Sequence, residues 1–281
     1  MRKMLLVAVG VALLGMVAGC ATKETAKTEP VKVETAQAEA KPLTQYVDTP
    51  TGRWMVHDEN RPAPEVITPG PECGSAPSDA VALFDGTEAS LANWTDTKGN
   101  PSKWVFRDGA LESAKGAGYI QTEGQFGSCQ LHVEFATPSR VIGNSQGRGN
   151  SGVFLQGQYE VQVLDSYQNK TYPDGQCGAL YGRSVPLVNA SRKPGEWQSY
   201  DIIYHRPVFD KDGKVTRKAT FTVLHNGVLI QDHVGLTGGT GWINAHAVTD
   251  YQAHPDTGPI QLQDHGNPVR YRNIWVRPLQ D

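Results

Sequence analysis

The amino-acid sequence predicts an all-β fold in which sheets pack face to face, as a β-sandwich or jelly roll. Short runs of apolar and β-branched residues alternate with polar ones, the pattern of strands with one buried face. Asp108-Gly109 and Asn226-Gly227 lie between such runs and favour tight hairpin turns. After residue 80 no window of about twelve residues sustains helical periodicity, and many of the 30 glycines and 18 prolines interrupt the candidates. We therefore expect helix to be confined to a turn or two.

Eight alternating runs predict the clearest strands of this fold. They are Trp104 to Phe106, Leu131 to Phe135, Val153 to Leu155, Tyr159 to Leu164, Tyr200 to Tyr204, Phe221 to Leu224, Val228 to Ile230 and Ile274 to Val276. About a dozen strands without a helical layer must bury their apolar faces against one another, which requires sheet-on-sheet packing.

The first twenty residues predict a lipoprotein signal peptide. Two basic residues precede an apolar run from Met4 to Val17, which is shorter than the ~20 residues of a membrane-spanning helix. The run ends in Val17-Ala18-Gly19-Cys20, which resembles the lipobox of bacterial lipoproteins, where the cysteine is lipidated and becomes the mature N-terminus. An ordinary signal peptide cleaved near Cys20 is the alternative. We expect a chain in the cell envelope whose only membrane contact is its lipid, and Ala21 after the cysteine favours the outer membrane.

Three segments follow the signal peptide. Residues 21–45 are almost entirely small, charged or polar residues and proline, a composition that predicts a flexible tether. Residues 46–79 mix large apolar residues with six prolines, which predicts an extended arm on the surface of the domain. Residues 80–281 are long enough for one large β domain with a substantial core.

The charge balance excludes some classes of partner. Lysine and arginine total 26 against 29 acidic residues, which gives a formal net charge of −3. This balance removes the electrostatic basis for a dedicated binder of nucleic acid or of anionic membranes, so the sequence predicts a neutral partner.

Cysteine content leaves the redox chemistry open. Besides Cys20 the chain contains Cys73, Cys129 and Cys177, an odd number whose pairing the sequence does not decide. A disulfide at Cys73 would fix the arm to the domain. There is no pair of cysteines or cluster of cysteine and histidine at zinc-ligand spacing, so we predict no structural metal.

The most polar predicted strand carries the candidate catalytic carboxyl group. Residues two apart share a face, so Glu160 and Gln162 point to one surface while Val161 and Val163 point into the apolar layer. Asp165 falls on the other face unless a β-bulge turns it towards Glu160. The spacing Glu-x-Gln-x-x-Asp equals that of the Glu-x-Asp-x-x-Glu signature of jelly-roll glucanases, although the central aspartate is missing. A solvated sheet face with ordinary polar residues is the alternative.

A glycine-rich loop precedes the strand next to this one. Residues 147–152 read Gly-Arg-Gly-Asn-Ser-Gly, and glycines allow a ligand to approach the backbone closely. Asn150 can both donate to and accept from a sugar hydroxyl, and Arg148 lies beside it. A long hairpin loop without a ligand is the alternative interpretation.

A second polar turn follows a strand near the C-terminus. Gln261 and Gln263 share a face and lead into a turn that holds His265. A histidine beside a carboxylate is a reasonable general acid or base, and Asp264 or Asp165 could orient it. A purely structural histidine is the alternative.

Seven motifs in fixed order resemble the 3-keto-disaccharide hydrolase family over residues 80–281. They are Leu83-Phe84-Asp85-Gly86, Trp104-x-x-x-Asp108-Gly109-x-Leu111, Asn150-Ser151-Gly152-Val153-Phe154, Tyr159-Glu160-Val161-Gln162-Val163-Leu164-Asp165, Gly178-Ala179-Leu180-Tyr181-Gly182, Lys193-Pro194-Gly195-Glu196-Trp197 and Gly258-Pro259-Ile260-x-Leu262-Gln263-Asp264-His265-Gly266. The resemblance implies a concanavalin-like jelly roll, in agreement with the predicted strands.

The resemblance also implies a reaction. The substrates are glycosides oxidised to a ketone at C3, which acidifies the hydrogen on C2, so that a base can remove it and the C1 substituent leaves by β-elimination. Addition of water to the double bond would then give net hydrolysis. A carbohydrate is therefore the expected partner, and a sugar 3-oxidoreductase must supply the ketone. A divalent cation could act as electrophile, which the sequence does not decide, and no other cofactor is implied.

Such a site needs a base near C2, a donor to the enolate oxygen and an acid for the leaving group. By this chemistry we expect Glu160 to be the base or acid and His265 its partner. Arg183 or Arg148 is the expected enolate stabiliser. The expected ligands of the sugar hydroxyls are Asn150, Gln162 and Gln263.

Two other functions stay open at this point. A retaining glycoside hydrolase would need two carboxylates about 5 Å apart, which Glu160 and Asp165 could supply with a bulge. A noncatalytic carbohydrate-binding module would need aromatic platforms, for which Trp242 and Tyr251 are the candidates.

Overall fold

The computed structural model describes residues 45–241 and 247–281 of the chain. They belong to two units, one that ends at Pro64 and one from Glu65 to Asp281. The signal peptide, Cys20, residues 21–44 of the tether and Trp242 lie outside the described residues, so the expectations for them stay predictions. In the part that is described, no helix is long and apolar enough to cross a membrane.

The first unit contains a β-hairpin that the sequence did not predict. Strands β1 (Tyr46–Thr49) and β2 (Gly52–Met55) pair antiparallel, with Thr49 opposite Gly52 around a two-residue turn. The Thr49 hydroxyl donates to the Gly52 carbonyl at 2.9 Å and closes this turn. The segment predicted as one extended arm, residues 46–79, is thus divided, because its residues from Glu65 onwards belong to the second unit.

The second unit consists of short strands and three short 3-10 helices within the described chain. The strands are β3 (Val81–Phe84), β4 (Trp94–Asp96), β5 (Val105–Arg107), β6 (Ala110–Glu112), β7 (Ile120–Thr122), β8 (Cys129–Ala136), β9 (Ser151–Leu155), β10 (Tyr159–Val163), β11 (Gln198–His205), β12 (Val208–Phe209), β13 (Val215–Arg217), β14 (Thr220–His225), β15 (Val228–Gly235), β16 (Gln261–Leu262) and β17 (Arg270–Pro278). The helices are Glu88–Asn93, Ser145–Gly147 and Pro173–Gly175.

Two antiparallel sheets form the sandwich. A five-stranded sheet has the order β10-β9-β16-β7-β4, and an eight-stranded sheet has the order β15-β14-β11-β8-β17-β6-β5 with β3 paired to β17. Strands β12 and β13 form a separate pair. The predicted all-β jelly-roll class is confirmed, and all eight predicted runs overlap observed strands. No predicted run covers β7, whose three residues show no clear alternation in the sequence.

Both predicted hairpin turns are confirmed. Asp108-Gly109 connects β5 to β6 and Asn226-Gly227 connects β14 to β15. The φ angles of Asn226 and Gly227 are +53° and +78°, in the left-handed region that asparagine and glycine tolerate best.

The apolar faces of the two sheets meet in one core. Val161 and Val163 of β10 are fully buried in it, together with the tyrosines of β11. The hydroxyl of Tyr200 donates to the Gln162 carbonyl at 2.7 Å, which satisfies a buried polar group between the sheets. Because side chains alternate along a strand, Glu160 and Gln162 lie on the outer face of the five-stranded sheet, as predicted.

Candidate active site

A cleft on the outer face of the five-stranded sheet collects most of the predicted site residues. Its volume is about 270 Å³, which leaves room for a single sugar ring. The residues that line it are Tyr119, Asn150, Phe154, Glu160, Gln162, Tyr181, Gly241, Gln263 and His265. Five of the eight candidate catalytic and substrate-binding residues therefore lie together, on the strands and loops at one end of the sheet.

Glu160 lies in this cleft with its side chain almost fully buried. The residue is 4% exposed, and no hydrogen bond to its carboxyl group is found among the described residues. Burial without a partner raises the pKa of Glu160 to about 8. A carboxyl group that titrates near neutral pH can exchange a proton with a substrate in either direction.

The neighbouring strand makes room for this carboxyl group. In the pairing of β9 with β10, Gly152 lies opposite Gln162 and Phe154 lies opposite Glu160. A Cβ at Gly152 would overlap the Glu160 carboxyl oxygen Oε1. The glycine is therefore required for the Glu160 side chain to occupy its place.

Three amide side chains direct unpartnered oxygens into the cleft region. Gln162 Nε2 donates to Gln146 at 2.9 Å, Asn150 Nδ2 donates to the Gln146 carbonyl at 2.7 Å, and Gln263 Nε2 donates to the Tyr119 hydroxyl at 2.5 Å. These bonds fix the amide nitrogens, whereas the buried oxygens Asn150 Oδ1, Gln162 Oε1 and Gln263 Oε1 have no partner in the described structure. Buried acceptors without donors are costly, so they are suited to hydroxyl groups of a ligand.

Aromatic side chains form the remaining walls. The rings of Tyr119 and Phe154 lie 5.7 Å apart on one side. The hydroxyl groups of Tyr172 and Tyr181 are 2.6 Å apart, and burial together with this contact raises the pKa of Tyr181. Tyr181 therefore stays protonated at physiological pH and can donate a hydrogen bond.

His265 lies at the open edge of the cleft and is exposed. Neither aspartate that was expected to orient it does so. Asp264 accepts from the backbone amides of Gly118 and Gly266, at 3.1 and 2.8 Å. The imidazole is thus free to turn towards a ligand.

Arg183 does not line the cleft, although the sequence placed it there. Its guanidinium donates to the Gly239 carbonyl at 2.6 and 3.0 Å and to the carbonyl of Thr249. Thr240, the residue after Gly239, accepts a hydrogen bond through its hydroxyl from the backbone amide of Glu160 at 2.7 Å. Arg183 therefore holds the loop that supports Glu160. The expectation that its guanidinium donates to a ligand in the cleft does not agree with this position.

Arg148 and Asp165 also lie outside the cleft. Arg148 Nε donates to Asp165 Oδ2 at 2.6 Å, and both residues line a different cavity beside Gly149. Asp165 comes after the last residue of β10, and no bulge turns it towards Glu160. The pair of carboxylates that the glucanase-like spacing suggested is not formed, because Asp165 is engaged by Arg148.

Comparison with known proteins identifies the family. The model of the 3-keto-alpha-glucoside-1,2-lyase-like domain matches residues 79–277. This chain belongs to that family. The match covers most of the second unit, including every residue that lines the cleft. No curated protein sequence matches the chain.

Solved structures agree with this family assignment. A candidate glycosyl hydrolase from Parabacteroides distasonis ATCC 8503 is 46% identical, with a TM-score of 0.75, over 80% of this chain and 95% of that one. A second candidate glycosyl hydrolase from the same organism is 22% identical, with a TM-score of 0.51, over 72% and 94% of the two chains. The second similarity concerns the fold alone. Together with the family match, the first supports an enzyme that acts on glycans.

Sequence reasoning missed the three aromatic residues of this 3-keto-alpha-glucoside-1,2-lyase-like site, and also Gly241. Phe154 was within a predicted strand, and its alternation with Val153 could have placed it on the same face as Gly152. Tyr181 lies in one of the recognised motifs, where its position beside β10 depends on the bridge between Val161 and Leu180. Tyr119 precedes a three-residue strand and gave no signal.

The described lining of this lyase-like domain's cleft contains one carboxyl group, Glu160, and one imidazole, His265. None of its described lining residues is a lysine or an arginine. Residues 45–241 and 247–281 also contain no group of three or more His, Cys, Asp or Glu side chains that could hold a metal ion. The lining favours a ligand without charge.

The three cysteines of the described structure, Cys73, Cys129 and Cys177, are free thiols. Cys73 is exposed, whereas Cys129 and Cys177 are buried. The disulfide that would fix the arm is not formed. The segment around Cys73 is instead held by hydrogen bonds from Trp275 and Asn273 to the Gly74 carbonyl, at 2.8 and 2.9 Å.

Proposed function

We propose that the protein cleaves glycosides that carry a ketone at C3 of the sugar, by β-elimination followed by addition of water. The observation that carries this proposal is Glu160, a buried carboxyl group without a partner and with a pKa of about 8. With this pKa about one-tenth of the Glu160 carboxyl groups are ionised at pH 7 and about half at pH 8, and a desolvated carboxylate is a strong base. The function needs such a base beside C2.

In the proposed reaction Glu160 takes the proton from C2 and the electron pair forms the enolate of the C3 ketone. The enolate then re-forms the carbonyl, a double bond appears between C1 and C2, and the C1–oxygen bond breaks with its electron pair on the leaving group. The leaving oxygen takes a proton, for which His265 is the candidate donor because it lies at the open edge. Addition of water across the double bond completes net hydrolysis.

The enolate oxygen needs a hydrogen-bond donor within the cleft. Arg183 and Arg148 are engaged elsewhere, so we assign this position to Tyr181, whose phenol is protonated and lines the cleft. The partnerless amide oxygens of Asn150, Gln162 and Gln263 are acceptors for the sugar hydroxyls. An uncharged sugar matches a lining without lysine or arginine.

A retaining glycoside hydrolase is less well supported. That mechanism needs a second carboxylate about 5 Å from the first. Asp165 is engaged with Arg148 at 2.6 Å, and Glu160 is the one carboxyl group among the described lining residues of the cleft.

A noncatalytic carbohydrate-binding module is also less well supported. The Tyr251 hydroxyl donates to the Leu236 carbonyl at 3.2 Å, and its ring packs against Tyr159, so it offers no free platform. A binding module also gains nothing from a desolvated carboxyl group, which destabilises the fold when it ionises.

Location and supply of substrate belong to the same proposal. We propose that Cys20 is lipidated and that the enzyme works in the cell envelope, attached to the outer membrane by its lipid. A sugar 3-oxidoreductase must act before it, because the substrate has to be oxidised at C3.

Sugar release from a 3-keto-glucoside and from its unoxidised parent separates the three functions. We expect release from the ketone and none from the parent. Equal release from both would favour a glycosidase, and binding without release from either would favour a binding module.

A further inference from the structure

A second cavity lies on the outer face of the eight-stranded sheet and shares no lining residue with the cleft. Its volume is about 380 Å³. Strands β8, β11 and β17 contribute His132, Glu134, Ser199, Asp201 and Arg272 to it. These residues belong to the outer face because Leu131, Val133 and Tyr200, which alternate with them, lie in the core.

Both carboxylates in this cavity are already neutralised. Asp201 Oδ1 lies 2.7 Å from His132 Nδ1, and Glu134 Oε2 accepts from Arg272 Nε at 2.6 Å. Although burial lowers it, contacts with Asp201 and Glu134 raise the pKa of His132 to about 9. Contacts with His132, Asn273 and Arg272 lower the pKa of Glu134 to about 2 despite its burial. At neutral pH the cavity therefore holds two ion pairs.

Positive charge remains beyond these pairs. Arg192 lines the cavity and its guanidinium donates to the Trp197 carbonyl at 3.0 Å. Arg270 lies 5.2 Å from the centre of the Trp197 ring. Neither arginine has a carboxylate partner in the described chain, so a protein of net charge −3 carries a local excess of positive charge here.

The cavity also contains polar atoms without partners. His132 is 3% exposed, yet its Nε2 has no hydrogen-bond acceptor, since the nearest carboxylate oxygen, Glu134 Oε1, is 3.8 Å away. The Ser199 hydroxyl and the second oxygen of Asp201 likewise have no hydrogen bond within the described residues, and they lie two positions apart on one face of β11. A buried donor without an acceptor is costly, which favours an oxygen-bearing ligand.

We propose that this cavity is a second binding site and that its ligand is a monosaccharide carrying a carboxylate, a uronate. The carboxylate pairs with the guanidinium of Arg192, whose two parallel donors match it. The ring hydroxyls bind Ser199 and the second oxygen of Asp201. Inorganic phosphate is a poorer match than a uronate, because it has no ring hydroxyls to bind Ser199 and Asp201. This site is independent of the proposed reaction.

Calorimetry with three probes tests the site. We expect glucuronate to bind to the wild-type protein with a millimolar Kd, and glucose and acetate at least about tenfold more weakly, because each lacks one half of the recognised group. Arg192→Ala should weaken glucuronate binding at least about tenfold, and Arg192→Lys should weaken it less. Arg107→Ala, which removes an exposed arginine paired with Glu112, is the control and should change nothing.

Protection of Cys73 gives a second measurement that needs no activity. Cys73 is exposed and lines this cavity. Glucuronate should slow its alkylation, measured by mass spectrometry of the peptide that contains it, and glucose should not.

Four results would overturn the site. They are no glucuronate binding at about 20 mM, equal binding of acetate, unchanged binding in Arg192→Ala, and unprotected Cys73. Binding lost in Glu160→Gln would place the sugar in the cleft instead and would also refute the second site. Sugar release from a 3-keto-glucoside tests the proposed reaction and does not depend on glucuronate binding, so the two proposals can fail separately.

Discussion

Replacement of Glu160 by glutamine should change how stability depends on pH. The pKa of the buried carboxyl group is about 8 in the folded protein, against 4.5 for an ordinary glutamate. The folded state thus holds this proton more tightly than the unfolded chain. The contribution of Glu160 to the free energy of unfolding is therefore highest below pH 4.5, falls as the pH rises from 4.5 to 8, and is level above that.

The size of this effect follows from the shift. At about 1.4 kcal/mol for each pH unit, ionisation of Glu160 costs about 3 kcal/mol at pH 7 and about 5 kcal/mol above pH 8. Glutamine keeps the shape without the charge, so Glu160→Gln should be more stable than wild type by about these amounts. The nearby phenols of Tyr119 and Tyr181 have raised pKa values and do not titrate in this range.

Urea unfolding at pH 5, 7 and 8.5 measures this difference. Glu88→Gln, which changes an exposed glutamate of a 3-10 helix, should follow the wild-type profile and serves as the control. Parallel profiles for wild type and Glu160→Gln would refute the desolvation argument.

On 3-keto-glycosides the Glu160→Gln variant should lose roughly 10²–10⁴-fold in rate. The kcat/KM of the wild-type protein should rise with pH up to about 8, because the base must be ionised. Retention of half the wild-type rate would contradict the role of base.

Three further predictions concern other parts of the chain. Gly152→Ala should lower activity more than about tenfold and destabilise the fold by roughly 1–3 kcal/mol in urea unfolding, since its Cβ overlaps the Glu160 carboxyl group, whereas Gly147→Ala meets no atom and should be nearly neutral. Tyr181→Phe should reduce kcat on a 3-keto-glycoside by roughly 10²–10³-fold if its phenol binds the enolate, and an unchanged kcat would remove it from that position. Cys20→Ser should move the protein from the membrane to the soluble fraction of fractionated cells without changing turnover, and continued membrane association would argue against lipidation.

The parts of the site that the sequence predicted are those fixed by local geometry. Alternation along one strand is sufficient to place Glu160 and Gln162 on the same face, and both line the cleft. The same rule predicted that Asp165 faces away unless a bulge intervenes. It could not reveal that Arg148 engages this carboxylate, because that pair joins a loop to a strand end.

Contacts between distant segments determine the properties of the site that the sequence did not predict. Arg183 lies in a motif beside the cleft, but its direction depends on carbonyl groups 56 and 66 residues further along the chain. The burial that raises the pKa of Glu160 depends on how several loops cover the sheet. Neither property has a local signal.

The central claim, elimination through loss of the C2 proton, is tested most directly by turnover of a 3-keto-glycoside in deuterated water. We predict that the product carries deuterium at C2, because water from the solvent adds back across the double bond, and that the product incubated without enzyme or with Glu160→Gln does not acquire it on the same timescale. Product without deuterium at C2, together with no kinetic isotope effect for substrate deuterated at C2, would contradict elimination.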